Sequence, residues 1–462
     1  MPATTPQDLV EHALAASSAD QCIVIVHDST SANLRWANNT LTTNGVMHSV
    51  TVSVASFHGT GHGTSTGSVS ASASSTDQVE RIVQAADAAA RAAEPAEDAA
   101  ELASGDAAAD WADPSEDTSI EVYRDFAPAL GEAFGRSTAE QRVLYGFVDH
   151  DVTTTYLGSS TGLRLRHVQP TGHWGCTAKP TDLSTSAWVG GATRDFTDVD
   201  VASMEAELVR RLGWASRRLD LEPGRYDTIL PPTAVADLMI YAYWTASARA
   251  AHDGQTVFSR RGGGTRIGDR LTDQPLQMFS DPGYDRLQAA PFVSVTSSDE
   301  FDSVFDNGLP IARNDWVTDG TLTALLQNRY TAGLTGQPLT PYVDNLVVSV
   351  DGATGSTQDL LAGVERGLLV TCLWYIREVD PQTLLLTGLT RDGVYLVEGG
   401  EVTGAVNNFR FNESPIDLLS RFSHASGTVP SFSREWGDYF PRTATPALRV
   451  PDFNMSTVSQ AQ

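Results

Sequence analysis

Cysteine is scarce in this sequence. Three cysteines occur in 462 residues, Cys22, Cys176 and Cys372, and they lie far apart. This spacing excludes a disulfide framework and a Cys-x-x-Cys metal knuckle. We therefore interpret each cysteine as a small, buried hydrophobic residue.

Long apolar runs are also missing. The longest, at about residues 368–376, is read as a buried strand, and it is far shorter than the ~18 residues that a membrane-spanning helix needs. The first thirty residues have no basic segment, and Glu11, His12 and Asp20 interrupt any apolar stretch. A secretory signal is therefore not expected. The sequence predicts a cytoplasmic protein without a membrane partner.

Positive charge is the third deficit. Lysine and arginine together number 31 against 57 aspartates and glutamates, which gives a net charge of −26. Such an excess of negative charge repels a phosphate backbone. Short basic clusters, such as Arg210 with Arg211, are not interleaved with the aromatic residues that a single-strand platform needs. Direct binding of nucleic acid is therefore not predicted.

The hydrophobic pattern that is present predicts an α+β fold, with N-terminal α/β domains followed by a β-rich C-terminal domain. Residues 77–94 predict an amphipathic helix, residues 225–232 an edge strand that ends at two prolines, and residues 234–250 a further helix. The predicted divisions are an N-terminal α/β domain at 1–95, a linker at 96–119, a middle α/β domain at 120–220, a β-rich C-terminal domain at 221–450 and a tail at 451–462.

Three phrases occur together in order along the chain. The first is NLRWANNTLTTNGVMHSVTVSVAS followed by RIVQAADAAARAAEPAED, and the second is FSDPGYDRLQAAPF followed by FDNGLPIARNDWVTDGTLTALLQNRYTAG. The third is LTGLTRDGVYLVEGGEVTGAVNNFRFNESP. Over about residues 20–450 the sequence resembles the TldD/PmbA family, and most of all its TldE (PmbA) branch.

The resemblance implies an α/β N-terminal domain, a β-rich C-terminal domain and a heterodimer. In that heterodimer the TldD-type subunit carries zinc and cuts peptide bonds, while the TldE-type subunit helps to enclose the reaction chamber. Members of the family that the sequence resembles have also been described, on genetic grounds, as modulators of DNA gyrase.

The zinc ligands of a TldD-type subunit are absent from the sequence. That subunit resembles other helical zinc peptidases in placing His-Glu-x-x-x-His on the helix that opens its C-terminal domain, with a further Cys ligand near its C-terminus. The corresponding helix here, residues 234–250, has no His and no Glu, and no Cys occurs after residue 421. We therefore predict no metal ligand and no catalytic residue in this chain, and expect zinc in the partner subunit.

Other groupings could carry chemistry of their own. His167, His173 and Cys176 could converge across a hairpin, which would give a self-sufficient hydrolase with unconventional metal ligands. His58 and His62 lie in a glycine-rich segment that disfavours a helix. No Gly-x-Ser-x-Gly elbow is present. Exposed or structural side chains remain the simpler interpretation of these histidines.

Polar residues in the last third of the chain are candidate contacts to the partner or to an extended peptide. They are Arg391, Asp392, Asn408, Arg410, Asn412 and Glu413, with Asn407 beside them and Asn314, Asp315, Asn328 and Arg329 as weaker candidates. The main hypothesis is a non-catalytic subunit of a heteromeric zinc peptidase that acts on unfolded or extended peptides. There are two alternatives. One is a self-sufficient hydrolase, and the other is a protein that binds a topoisomerase or an antitoxin.

Overall fold

The computed structural model describes residues 4–459. Residues 1–3 and 460–462, at the outer ends of the predicted first domain and of the predicted tail, lie outside the described part. The predicted α+β class is confirmed, with an α/β N-terminal region and a β-rich C-terminal region. No helix within residues 4–459 has both the length and the apolar character that crossing a bilayer requires.

The N-terminal region is built on one six-stranded antiparallel sheet with the strand order β3-β2-β1-β4-β5-β6. Its elements are α1 (Pro6–Ala16), β1 (Gln21–Ala37), β2 (Thr40–Thr60), β3 (Gly63–Ser72), α2 (Thr76–Ala92), α3 (Phe126–Ala139), β4 (Arg142–Ser159), β5 (Arg164–Pro180), β6 (Ala187–Thr193) and α4 (Val201–Trp214). A 3-10 turn, Ile120–Tyr123, precedes α3. Because β1 pairs with both β2 and β4, the strands of the predicted first and middle domains belong to one sheet.

All four helices cover the same face of this sheet. Alternate residues of β1, from Cys22 to Trp36, point to that face because side chains alternate along a strand. Near one end they pack against α1 and α2, and near the other against α3 and α4. The opposite face meets the C-terminal half through Ile23, Ile25 and Phe57, and the ring of Phe57 lies 4.8 Å from that of Phe305.

The predicted linker, residues 96–119, is packed along the N-terminal region. Leu102 is buried in the core shared with Phe305, and Trp111 lies edge-on to Tyr156 at 5.6 Å between ring centroids. The Ser115 hydroxyl donates a 2.6 Å hydrogen bond to Asp28. The predicted linker is therefore packed against the N-terminal sheet.

The C-terminal half contains the remaining elements, with a second 3-10 turn at Val304–Asp306. They are β7 (Arg218–Leu219), β8 (Gly224–Leu230), α5 (Pro232–Trp244), α6 (Ala248–His252), β9 (Leu276–Ser280), β10 (Asn314–Thr318), β11 (Thr321–Leu322), α7 (Arg329–Thr335), β12 (Leu346–Val350), α8 (Thr357–Ala362), β13 (Arg366–Val370), β14 (Leu373–Asp380), β15 (Leu385–Thr390), β16 (Val394–Glu398), β17 (Glu401–Val406), β18 (Phe409–Glu413), α9 (Pro415–Arg421), β19 (His424–Ala425), β20 (Val429–Ser431), β21 (Thr443–Thr445) and β22 (Leu448–Val458).

These strands form two sheets. The smaller has the order β11-β10-β9-β12-β21-β20, and the larger has the order β14-β15-β18-β22-β8-β13-β16-β17-β7, with β19 paired to β22. Helix α5 is buried almost all round, as expected of an apolar helix in the core of a large domain.

Four sequence predictions need correction here. Strand β8 is an interior strand between β22 and β13, because the two prolines follow the strand and leave its ladder intact. Residues 451–458 of the predicted tail are the second part of β22, inside the same sheet. The helix predicted at 234–250 is divided into α5 and α6, because Ser247 caps the second helix. The single strand predicted at 368–376 is divided between β13 and β14.

Candidate functional site

A cleft with a volume of about 1160 Å³ lies between the N-terminal sheet and the C-terminal half. The N-terminal sheet contributes residues of β5 and β6, and α4 adds one wall. From the C-terminal half come the start of α5 at residues 231–233, the loop at 285–288, the start of α8 and strand β20. The cleft is therefore formed by both halves of the chain.

Two sheet edges face this cleft. Strand β6 ends the N-terminal sheet, and β20 ends the smaller C-terminal sheet. Residues 190–193 of β6 and residues 429–431 of β20 line the cleft. An edge strand presents backbone N–H and C=O groups that can pair with another extended chain. The cleft thus offers the backbone groups of β6, whereas Pro430 at the centre of β20 has no N–H to donate.

The charges on the cleft wall are mostly paired. Arg211 lies 2.6 Å from Glu207, Arg286 binds Asp198, and Arg442 binds Asp344. A paired guanidinium attracts an incoming phosphate less than a free one does. This lining is better suited to a polar peptide backbone than to a polyanion.

Helix α5 begins at the cleft, and its one acidic residue is a buried aspartate. Asp237 accepts hydrogen bonds from the amide of Leu373 (3.0 Å), the hydroxyl of Ser433 (2.6 Å) and the amide of Glu435 (3.2 Å). Burial raises the pKa of Asp237 to about 6, although these three hydrogen bonds oppose the rise. The carboxylate therefore fastens the segment after β20 to α5 and to the start of β14.

The residues around α5 do not fit zinc. The helix supplies no His and no Glu, the chain has no Cys after residue 421, and Asp237 is fully engaged by protein donors. In the part of the chain that the structure describes, no group of three or more His, Cys, Asp or Glu residues could hold a metal ion. A structural or catalytic zinc site needs at least three such ligands.

The prediction that His167, His173 and Cys176 could converge is wrong. All three lie on one continuous strand, β5, which forms no hairpin at this point. The two histidines are six residues apart, or about 20 Å at the usual rise of a strand. Cys176 points to the opposite, helix-covered face, where it is buried. His173 instead stacks on Phe432, with 5.6 Å between ring centroids.

The predicted contact residues Arg391 and Asp392 lie in the turn between β15 and β16, where the two halves of the chain meet. Asp392 is buried, and the hydroxyl of Ser186 just before β6 donates a 2.5 Å hydrogen bond to it. Arg391 lies with its guanidinium carbon 5.8 Å from the centre of the Trp374 ring. Asp392 thus connects the two halves within one chain.

The remaining predicted contacts separate into exposed and buried residues. Arg410 is exposed and donates to the Thr387 hydroxyl, while Asn412 accepts a 2.7 Å hydrogen bond from the same hydroxyl. The hydroxyl of Thr390 donates to Asn408 at 3.5 Å. Glu413 is buried, and the Arg421 guanidinium binds it at 2.6 Å. A structural role follows directly for Glu413.

The weaker candidates and Asn407 each have a partner within the chain. Asn407 accepts a hydrogen bond from the amide of Leu221, Asn314 donates to Pro341, Asp315 binds Arg313, Asn328 caps α7, and Arg329 binds Asp306. These bonds connect loops and helix ends to their neighbours.

Sequence reasoning missed the segment that follows β20. Arg434 lies between two indole rings, with its guanidinium carbon 4.7 Å from the ring centre of Trp188 and 4.4 Å from that of Trp374. Glu435 accepts hydrogen bonds from the amides of Tyr375 and Ile376. No period or motif marks the phrase SREWGDYF, so its partners are visible only in three dimensions.

Comparison with known proteins gives the family. The family model described as the PmbA/TldA metallopeptidase C-terminal domain matches residues 223–457, and that of PmbA/TldA metallopeptidase domain 1 matches residues 22–93. The chain belongs to the PmbA/TldD family. The predicted resemblance is confirmed, and α5 is the first helix within the matched C-terminal domain.

Solved structures of similar PmbA/TldD fold span nearly the whole chain. TldE from Thermococcus kodakarensis is 14% identical with a TM-score of 0.74, and covers 97% of this chain and 99% of its own. A candidate modulator of a DNA gyrase from Thermotoga maritima is 16% identical with a TM-score of 0.75, at 97% and 100% coverage. A candidate modulator of DNA gyrase from Bacteroides thetaiotaomicron is 14% identical with a TM-score of 0.75, at 98% and 100% coverage. No curated protein matches in sequence.

Proposed function

We propose that this chain is the non-catalytic, TldE-like subunit of a heteromeric zinc metallopeptidase that processes unfolded or extended peptides in the cytoplasm. A TldD-type partner supplies the zinc and its activated water. This chain supplies walls, anchoring and peptide contacts. Its membership of a metallopeptidase family supports the reaction class, and the solved TldE structure of the same fold supports comparison with that branch.

One observation carries the non-catalytic role. The helix that opens the C-terminal domain begins at the cleft but has no residue free to bind a metal, and its carboxylate holds the segment after β20 in place. A zinc peptidase needs two or three ligands and a general base at such a helix. The arrangement at Asp237 stabilises the wall of the cleft instead.

The two sheet edges support an extended peptide as the substrate. Strand β6 can form backbone hydrogen bonds to a chain in the cleft without reading its side chains, and β20 can add the carbonyl of Pro430. A folded substrate has its own backbone groups paired and cannot use these edges. An unfolded segment therefore matches the cleft better than a native protein does.

The test is a cleavage assay on the chain alone, on a TldD-type partner alone and on the two combined. We expect no zinc-dependent cleavage of an unfolded peptide by this chain alone and cleavage by the combined proteins. A partner variant with its His-Glu-x-x-x-His histidines replaced is the matched control, and it should abolish cleavage by the mixture. Zinc-dependent cleavage by this chain alone would refute the proposal.

A further inference from the structure

The guanidinium of Arg434 is held in place by aromatic rings but is not neutralised. Trp188 of β6 and Trp374 of β14 stack on it from the two halves of the chain. Its Nε is buried, and no atom of residues 4–459 accepts a hydrogen bond from it. Stacking of this kind fixes the plane of a guanidinium and leaves its N–H groups free to bind a ligand.

Two more donors beside Arg434 have no acceptor. The indole N–H of Trp374 and the Nε of Arg391 are both buried without a hydrogen bond within residues 4–459. Arg391 also lies against the Trp374 ring, with its guanidinium carbon 5.8 Å from the ring centre. The Trp374 indole therefore has an unbonded N–H of its own and two arginine side chains with unbonded Nε atoms against its ring. Desolvated donors without an acceptor are unfavourable, and a bound acceptor would relieve that cost.

The nearby carboxylates do not fill this role. Glu435 binds the amides of Tyr375 and Ile376, and Asp237 binds the donors already described. Asp392 accepts from Ser186, and it stays 3.6 Å from the Arg391 Nε, which is beyond hydrogen-bonding distance. The two arginine Nε atoms and the indole N–H are thus left without a hydrogen bond, although Asp392 forms an ion pair with Arg391.

The donor group adjoins the wall of the cleft. Phe432, two residues before Arg434, lines the cleft, and so does Thr371 at the end of β13. Arg211 lines it as well and donates a 2.7 Å hydrogen bond to the carbonyl of Trp188. Arg434, Arg391 and Trp374 are not themselves lining residues, so a carboxylate of a peptide in the cleft has to extend past Phe432 and Arg211 to meet the stacked guanidinium.

We propose that Arg434, Arg391 and Trp374 form a carboxylate-binding site for the peptide in the cleft. The carboxylate is either the C-terminus of the peptide or an acidic side chain. A guanidinium binds a carboxylate through two parallel N–H bonds, and the indole N–H adds a third donor. The site rests on the proposed function, since it takes a peptide as the ligand, and it names a chemical preference that the two backbone edges alone do not give.

The test uses three fluorescein-labelled peptides of the same uncharged sequence. One has a free C-terminal carboxylate, one has a C-terminal amide, and one has the amide together with a single internal Glu. Binding to the isolated chain is measured by fluorescence anisotropy. We expect at least one carboxylate peptide to bind about tenfold more tightly than the neutral amide, as the loss of a charged hydrogen bond suggests. Which of the two binds more tightly identifies the source of the carboxylate.

Variants decide whether the preference comes from this site. Arg434→Gln and Arg391→Gln should lower the affinity for the carboxylate peptides to that for the neutral amide. Arg366→Gln, at an exposed arginine paired with Glu398 on the same sheet, is the matched control and should keep it. If Arg434→Gln does not fold, Arg434→Lys keeps the charge without the planar fork and should also lose most of the preference.

Equal affinity for all three peptides, no binding of any of them, or an unchanged preference in folded Arg434 and Arg391 variants would overturn the proposed site. The assay measures binding to the isolated chain and includes no cleavage. Zinc-dependent cleavage by this chain alone would therefore refute the proposed function without changing this result, and the two failures remain distinguishable.

Discussion

Replacing Asp237 by Ala is expected to lower the free energy of unfolding by about 3 kcal/mol, because it leaves buried donors without an acceptor. Those donors are the amides of Leu373 and Glu435 and the hydroxyl of Ser433. They come from β14 and from the segment after β20, so the loss separates α5 from two parts of the C-terminal domain. Urea unfolding followed by circular dichroism at pH 7 measures the change.

A matched control is Asp273→Ala, since Asp273 is an exposed acid that pairs with Arg270 at the surface. It should change stability by less than about 0.5 kcal/mol.

The pKa of Asp237 is raised from 3.8 to about 6, so the folded state binds a proton more readily than the unfolded state between these two pH values. The contribution of this group to stability is present below pH 3.8 and is lost as the pH rises through 6. Asp237→Asn should remove that part of the pH dependence. An Asp237→Ala variant as stable as the control would contradict the role given to this residue.

Replacing Glu413 by Ala is expected to cost about 2–3 kcal/mol, which would identify it as a structural residue. Its buried carboxylate accepts hydrogen bonds from the Arg421 guanidinium and from the amide of Asn454, each at 2.6 Å. Removal leaves a half-buried guanidinium and a backbone amide without their acceptor. The bonds connect β18 to α9 and to β22. Urea unfolding is again the measurement.

The control for Glu413 comes from the same strand. Arg410→Ala removes an exposed side chain that makes one 3.3 Å hydrogen bond, and we expect a change below about 0.5 kcal/mol. If Glu413→Ala and Arg410→Ala lowered the free energy of unfolding by similar amounts, the burial of a side chain on β18 would not determine its contribution to stability. A near-neutral Glu413→Ala would return that residue to the candidate contacts.

The strongly periodic elements could be predicted from the sequence. The amphipathic helix predicted at residues 77–94 is α2. Periodicity identifies a strand because its side chains alternate between a buried and an exposed face. It does not identify the neighbouring strand. The pairing of β1 with β4 joins residues 23 and 159, so that one sheet extends across the predicted linker.

The site could be predicted only in part. The lack of a His-Glu-x-x-x-His motif and of a Cys after residue 421 can be read from the sequence alone. The contacts of Asp237 and Arg434 depend on segments that lie far away in the sequence and meet only in the fold. His173 and Cys176 show the converse, since they are close in sequence but lie on opposite faces of β5.

The most direct test of the non-catalytic role is the zinc content of the purified proteins. The chain alone and its complex with a TldD-type partner are dialysed against zinc and then against buffer, and the bound metal is measured by mass spectrometry. We predict less than about 0.1 zinc per chain in the isolated protein and about one zinc per heterodimer, held by the partner. One tightly bound zinc in the isolated chain would contradict the account.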